Sequence, residues 1–319
     1  MTMAVPAMAE TTRPSGRRTP LKDLMYAYGL RAGLPFRAIK IVADWLDTAR
    51  RPAEVWSRRA AARRLLAGSR WRGFVPVEKG FALIDATLLP DLAELARVGA
   101  ELYRSRAGSV PLGGEEPFYD ILTPADLAYR SIFLDIALGR DVVEIVADYL
   151  GTIPRLHNIM LCVTPGRERV AQSQLYHLDK PDVGFIQMFI NVLRTRPENG
   201  PLTFLPADVA SRVRDACAYD KRGVTGDGRL TDTEVFAHAR AEDVVAAVGD
   251  PGAGVLIDTS RCLHFGSRCR DVVRVVCIIQ YAPAHKIAPT FAHRFDGHRH
   301  ALGPLKRMLL DGAVPPMSS

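Results

Sequence analysis

The pattern of apolar and polar positions changes character partway along the chain. Over residues 21–69, apolar and basic residues take separate sides at helical spacing, as in "FRAIKIVADWLDTARRPAEVWSRRAAARRLLAG", which predicts helices. Residues 71–150 read as one short strand at 80–84 with helices that include 87–104 and 139–150. Beyond 150 the text breaks into short runs of branched and aromatic residues between Gly/Pro turns: "RLHNIMLCV" (155–163), "SQLYHL" (173–178), "GFIQMFINVL" (184–193), "LTFLP" (202–206), "GVLID" (254–258) and "VVRVVCIIQYAP" (272–283). Such runs predict strands. Strands without regularly intervening helices point to an antiparallel sandwich or jelly roll. The expected fold class is α+β with a mainly β core, braced from outside by the N-terminal helices. The stretch 207–250 is too long for a turn and leans helical at both ends, so it is expected to cover the mouth of the β core as a lid. This divides the chain into a disordered tail (1–20), a basic helical extension (21–70), a β domain (71–300) and a C-terminal tail (301–319).

Composition narrows the class. The chain has 319 residues, 48% hydrophobic and 24% charged, the balance of a soluble globular enzyme. Its longest apolar runs are strand-length and fall below the roughly 18 residues of a membrane span. "MTMAVPAMAETTRPSGRRTP" lacks the basic leader and apolar core of a secretory signal. The five cysteines form no CxxC pair, which predicts reduced thiols and a cytoplasmic protein. The net charge of +7 is concentrated: residues 1–70 carry 14 Lys/Arg against 5 Asp/Glu, and the rest 28 against 30. That excess lies on helices without a nucleic-acid-binding motif, so no nucleic-acid partner is expected. Arg59, Arg63 and Arg64 form a stripe. It reads as a solvated face or, more sharply, as weak contact with an anionic membrane surface or a lipid-like substrate.

Candidate chemistry begins at "QLYHLDKPDVGF" (174–185). His177 and Asp179 are two apart, and residues i and i+2 of a strand project to one side. The pair can supply two of the ligands of a metal site that needs two imidazoles and one carboxylate. His264 follows 87 residues later, and Arg274 interrupts the strand "VVRVVCIIQY" ten residues beyond it. The neighbours of Arg274 predict a strand buried on both faces. A guanidinium there requires an anion, either a buried Asp or Glu or a bound dicarboxylate held by the guanidinium fork. Gln187 and Asn191 share a strand face that is open to either cavity or solvent. "GVTGDGRLTDTE" (223–234) fits the later part of a calcium loop but has Gly223 and Thr225 at early ligand positions, so no calcium site is expected. "AHRFDGHRH" (292–300) reads as a solvated C-terminal turn.

The order His177-x-Asp179, "ENGPLTFLPAD" (198–208), His264 and Arg274 resembles the phytanoyl-CoA dioxygenase family, over about residues 150–285. The resemblance implies a double-stranded β-helix of the cupin-like kind. It also implies Fe(II) on His177, Asp179 and His264, 2-oxoglutarate with its distal carboxylate on Arg274, and O2 as the third reactant. Asn158 matches a position from which relatives offer an amide to the co-substrate. The implied reaction is hydroxylation of a small-molecule or lipid-like substrate with release of succinate and CO2; the basic N-terminal helices would suit an anionic or lipid-linked one. Relatives that halogenate carry a small residue where this chain keeps Asp179. Two positions depart from the family pattern: Ala207-Asp208 stands where relatives have Gly-Ser, and Gly266, followed by Ser267, stands where a hydroxyl is usual. The alternative reading is a cupin-type isomerase or hydrolase that uses a divalent ion as Lewis acid. It has no standing need for a buried dicarboxylate partner.

Overall fold

The computed structural model describes residues 20–110, 118–128, 130–166, 174–179, 183–220, 228–269, 272–286 and 302–310. The runs 223–227 and 292–300, where calcium-loop and histidine-rich readings arise, lie outside them. Three helices open the chain: α1 (Pro20–Arg31), α2 (Phe36–Arg50) and α3 (Pro52–Leu65). Then come β1 (Phe81–Ile84), α4 (Asp91–Arg106), β2 (Tyr119–Asp120), α5 (Ile132–Ala137) and α6 (Arg140–Leu150). The β core follows with β3 (Pro154–Thr164), β4 (Ile186–Asn191) and β5 (Thr203–Phe204). Helices α7 (Ala207–Ala216) and α8 (Asp232–Phe236) interrupt it. The chain then forms β6 (Val245–Ala246), β7 (Gly254–Asp258), β8 (His264–Phe265), β9 (Arg274–Pro283) and α9 (Pro304–Leu309).

Two antiparallel sheets result, of six strands in the order β1-β7-β4-β9-β3-β2 and three in the order β6-β5-β8. The expected mixture of helices and antiparallel strands is therefore present. Period-two alternation explains why the central strands are apolar throughout. One face of the large sheet, with Ile159, Leu161, Met188, Ile190, Cys277 and Ile279, packs on residues of α4, α5 and α6. The other, with Cys162, Phe189, Val255, Val276 and Ile278, packs against Phe204 and Leu202. An irregularity in the β3–β9 register between Leu156 and Asn158 shifts the alternation. It puts Asn158 in the same row as Gln280 and Gln187.

Several elements differ from the sequence expectation. The strand expected at 173–178 reduces, among described residues, to bridges at Tyr176–Leu230 and His177–His264. Strand 202–206 shortens to Thr203–Phe204, flanked by Pro201 and Pro206, which lack the N–H a ladder needs. Residues 302–310, expected as part of a tail, include α9, whose Leu309 is buried in the main core together with the following Leu310.

Gly200 holds the connection that leads into the site. It adopts φ 63°, and a Cβ there would stand 2.6 Å from backbone atoms of Arg268 and Cys269. Only glycine permits this approach without moving the backbone. Its carbonyl accepts from Ser267 N at 3.1 Å, which pins the loop just after His264.

Candidate metal centre

His177, Asp179 and His264 converge, with one ligand atom from each lying within 4.8 Å of the others. His177 and His264 exchange backbone hydrogen bonds of 2.9 and 3.0 Å, so their side chains leave adjacent strands from one paired position. The rings stand 4.3 Å apart between centroids. His177 Nε2 lies 3.6 Å from Asp179 Oδ1, and His264 Nε2 lies 3.5 Å from Asp179 Oδ2. Asp179 is held from the other sheet, since its N–H donates to Thr259 O at 2.8 Å.

Each imidazole has a fixed role for its second nitrogen. His177 Nδ1 donates to Leu175 O at 2.8 Å, and His264 Nδ1 donates to Cys262 O at 2.9 Å. A carbonyl only accepts, so both Nδ1 atoms carry a proton, and both Nε2 atoms face Asp179. Burial, then the neighbouring His264 ring, pushes the His177 pKa down to about 4. That keeps the ring in the neutral form a metal requires. Burial opposes ionisation of Asp179, but the hydrogen bond and charge of His264, then His177 and Gln187, outweigh it and hold the carboxyl well below its usual range. Two imidazoles and one carboxylate on one side suit a divalent first-row metal.

Gln187 and Tyr219 complete the setting. Gln187 Nε2 donates to Asp179 Oδ2 at 2.8 Å and to Thr259 Oγ1 at 2.7 Å, while its Oε1 accepts from Gln280 Nε2 at 2.9 Å. The Gln280 contact orients the amide so that NH2 faces the carboxylate. Tyr219 Oη accepts from Leu178 N at 2.9 Å, between the two ligands, and donates to Gly228 O at 2.7 Å. Period-two spacing marks the face of Gln187 but not its partner; Tyr219 carries no sequence signal, because the insertion reaches the site only through tertiary packing. Asn191 is buried and donates to Ala247 O at 3.3 Å.

Arg274 sits in the same β-sandwich, opposite Thr164 in the β3–β9 register. It is 3% exposed, yet its Nε and Nη2 have no hydrogen-bond partner. No carboxylate pairs with it among the described residues. Gly266 leaves room beside it, since a Cβ there would stand 3.4 Å from Nη1. Ser267 Oγ lies 3.2 Å from Thr164 Oγ1, so a hydroxyl stands one residue later than in the family pattern. Asn158 is buried, and its Oδ1 also has no partner.

The insertion does not hang free. Arg268 stacks over Phe265 at 3.4 Å and grips Asp232 of α8 at 2.7 and 2.8 Å. Leu205, Val209, Val213, Leu230 and Val235 bury with Tyr176 and Phe265. His238 lies in the turn after α8, exposed and away from the triad.

No protein-family model matches the chain, and no curated protein matches it. Among solved structures it is similar to the non-haem α-ketoglutarate-dependent epimerase SnoN from nogalamycin biosynthesis, at 17% identity over 70% of this chain and 84% of that one, with a TM-score of 0.43. It is also similar to EctD from S. alaskensis with bound Fe, at 16% identity, 66% and 74% coverage and a TM-score of 0.46. A third is HygX from Streptomyces hygroscopicus, solved with nickel and 2-oxoglutarate, at 13% identity, 68% and 87% coverage and a TM-score of 0.45.

Proposed function

We propose that the chain is a non-haem Fe(II)- and 2-oxoglutarate-dependent dioxygenase on a double-stranded β-helix, of the phytanoyl-CoA dioxygenase kind. It hydroxylates a C–H bond of a small-molecule substrate and releases succinate and CO2. The observation that carries the reading is Arg274, a buried guanidinium whose Nε and Nη2 have no hydrogen-bond partner and which pairs with no carboxylate among the described residues, in the sandwich that holds the two-histidine, one-carboxylate cluster. A buried cation with unsatisfied donors calls for an anion, and a dicarboxylate supplies one that also reaches a metal. His177, Asp179 and His264 would hold the iron, Arg274 the distal carboxylate, and Asn158 would direct its amide toward the co-substrate.

Bound iron and 2-oxoglutarate supply the activation of O2. The chain's own share is positioning. The Nδ1–carbonyl contacts aim both Nε2 atoms, Gln187 fixes the rotamer of Asp179, and the insertion reaches the His177–Asp179 turn through Tyr219.

The test is an anaerobic titration of metal-free protein with iron(II) and 2-oxoglutarate, followed in the visible. The chelate's charge-transfer band is expected in the wild type and absent in His264→Ala. Tight metal binding without that band refutes the reading and favours a Lewis-acid cupin.

A further inference from the structure

Apolar side chains left in solvent are not spread over the surface. Of the thirteen exposed large hydrophobics among described residues, seven fall between 24 and 56: Leu24, Tyr28, Leu34, Ile41, Val42, Trp45 and Trp56. Helix α2 shows the arrangement best. Ile39, Ala43 and Asp47 are buried on its inner side. On the opposite side Ala38, Ile41, Val42, Trp45 and Ala49 repeat at i, i+3, i+4, i+7 and i+11, all exposed, which is one stripe of a helix. Ile41 and Trp45 are 69% and 67% exposed, and Trp56 on α3 is 71% exposed. A helix with apolar residues on both sides has one side for its own core and one for another surface. The inner side is anchored, since Arg214 stacks over Phe36 at 4.2 Å and Lys286 pairs with Asp44 at 2.7 Å.

Charge decides the occupant. Several cations of these helices are matched by acids: Lys40 with Asp44, Arg50 with Asp47, Arg51 and Arg58 with Glu54. Arg59, Arg63 and Arg64 are exposed and pair with no acid among the described residues. Trp56, Arg59 and Arg63 follow one another at helical spacing along α3. A second copy of this face would set unpaired guanidiniums against each other. A nucleic acid would answer the arginines but leave Ile41 and Val42 in water. An anionic bilayer answers both, with Trp and aliphatic side chains at the headgroup–acyl boundary and arginines on lipid phosphates.

We propose that α1–α3 form a peripheral docking face for an anionic lipid bilayer, with the Ile41/Val42/Trp45 stripe and Trp56 entering the interface and Arg59, Arg63 and Arg64 on the phosphates. No step of this rests on the reaction proposed above.

The experiment uses the full chain with phosphatidylcholine vesicles, with and without phosphatidylglycerol, in co-sedimentation at low and high salt. Binding is expected only with phosphatidylglycerol, weakened by salt, with a blue shift of tryptophan emission. Ile41→Ser/Trp45→Ser and Arg59→Glu/Arg63→Glu should each lower the partition coefficient about tenfold or more. These side chains are exposed, so melting temperatures should match the wild type and separate loss of binding from misfolding. Absence of wild-type binding at low salt overturns the proposal, as does binding that neither double variant weakens. So does a switch from dimer to monomer in Ile41→Ser/Trp45→Ser without vesicle binding in the wild type, which would assign the face to self-association.

Discussion

Arg274→Met should move stability and co-substrate binding in opposite directions. The guanidinium is 3% exposed, two of its three nitrogens have no partner, and burial drives its pKa down from the ordinary value. In the protein without co-substrate, this group therefore pays desolvation with little return. An apolar side chain of similar length removes the unsatisfied charge, and such replacements are neutral to stabilising; here a gain of about 1–3 kcal/mol is expected. At a protein of this size that is on the order of 2–6 °C in melting temperature. Co-substrate at about a hundredfold its Kd should stabilise the wild type by about 2.7 kcal/mol. The variant should show almost none of that increment. The assay is thermal unfolding of the manganese-loaded protein without oxygen, with and without 2-oxoglutarate. A variant that melts lower than wild type without 2-oxoglutarate would show that the arginine serves the fold. A variant that keeps the full 2-oxoglutarate increment would show that it does not hold the co-substrate. Either result refutes the reasoning.

Two further outcomes follow from the contacts around the triad. Gln187→Leu strips Asp179 of its 2.8 Å donor and leaves Gln280 without its acceptor, so manganese affinity in a calorimetric titration should fall about tenfold to a hundredfold while the fold persists; unchanged affinity would make Gln187 a packing residue. For pH, burial first, then the His264 ring beside His177 and Lys286 beside His285, hold both histidines at about 4 in the folded protein, below their ordinary 6.5. The unfolded chain then binds more protons across that window, so stability of the metal-free protein should fall as pH drops from about 6.5 through about 4. The His177→Asn/His285→Asn double variant should show a shallower fall in melting temperature, and an identical slope would remove these histidines from the acid response.

What could be read in advance divides along the range of the interactions. Alternation within a strand is local, and it was enough to locate β3, β4, β7 and β9 and to pick out Arg274 as a charge among branched apolar residues. The pairing of His177 with His264 is not local; metal chemistry asks only for a second histidine, and it was the order of His177-x-Asp179, His264 and Arg274, which resembles a known family, that picked His264 out of eight. Where neither local pattern nor chemistry constrains the answer, the text was silent: β2, β6 and β8 are two residues each, and Tyr219 reaches Leu178 N only because the insertion folds back over β8. Arg58 is the instructive case. In composition it is one more cation in "SRRAAARRL", alongside Arg59, Arg63 and Arg64. On the helix it shares a face with buried Val55 and Ala62, and it is 2% exposed. Its Nη1 donates to Met308 O at 2.9 Å and toward the carbonyls of Ile153 and Pro154 at 3.4 and 3.3 Å. One helical step therefore separates a cation that ties α3 to the start of β3 and to α9 from cations that stand exposed on the other side. The basic character of the extension is thus split between a buried face and an exposed one, and net charge alone merges them.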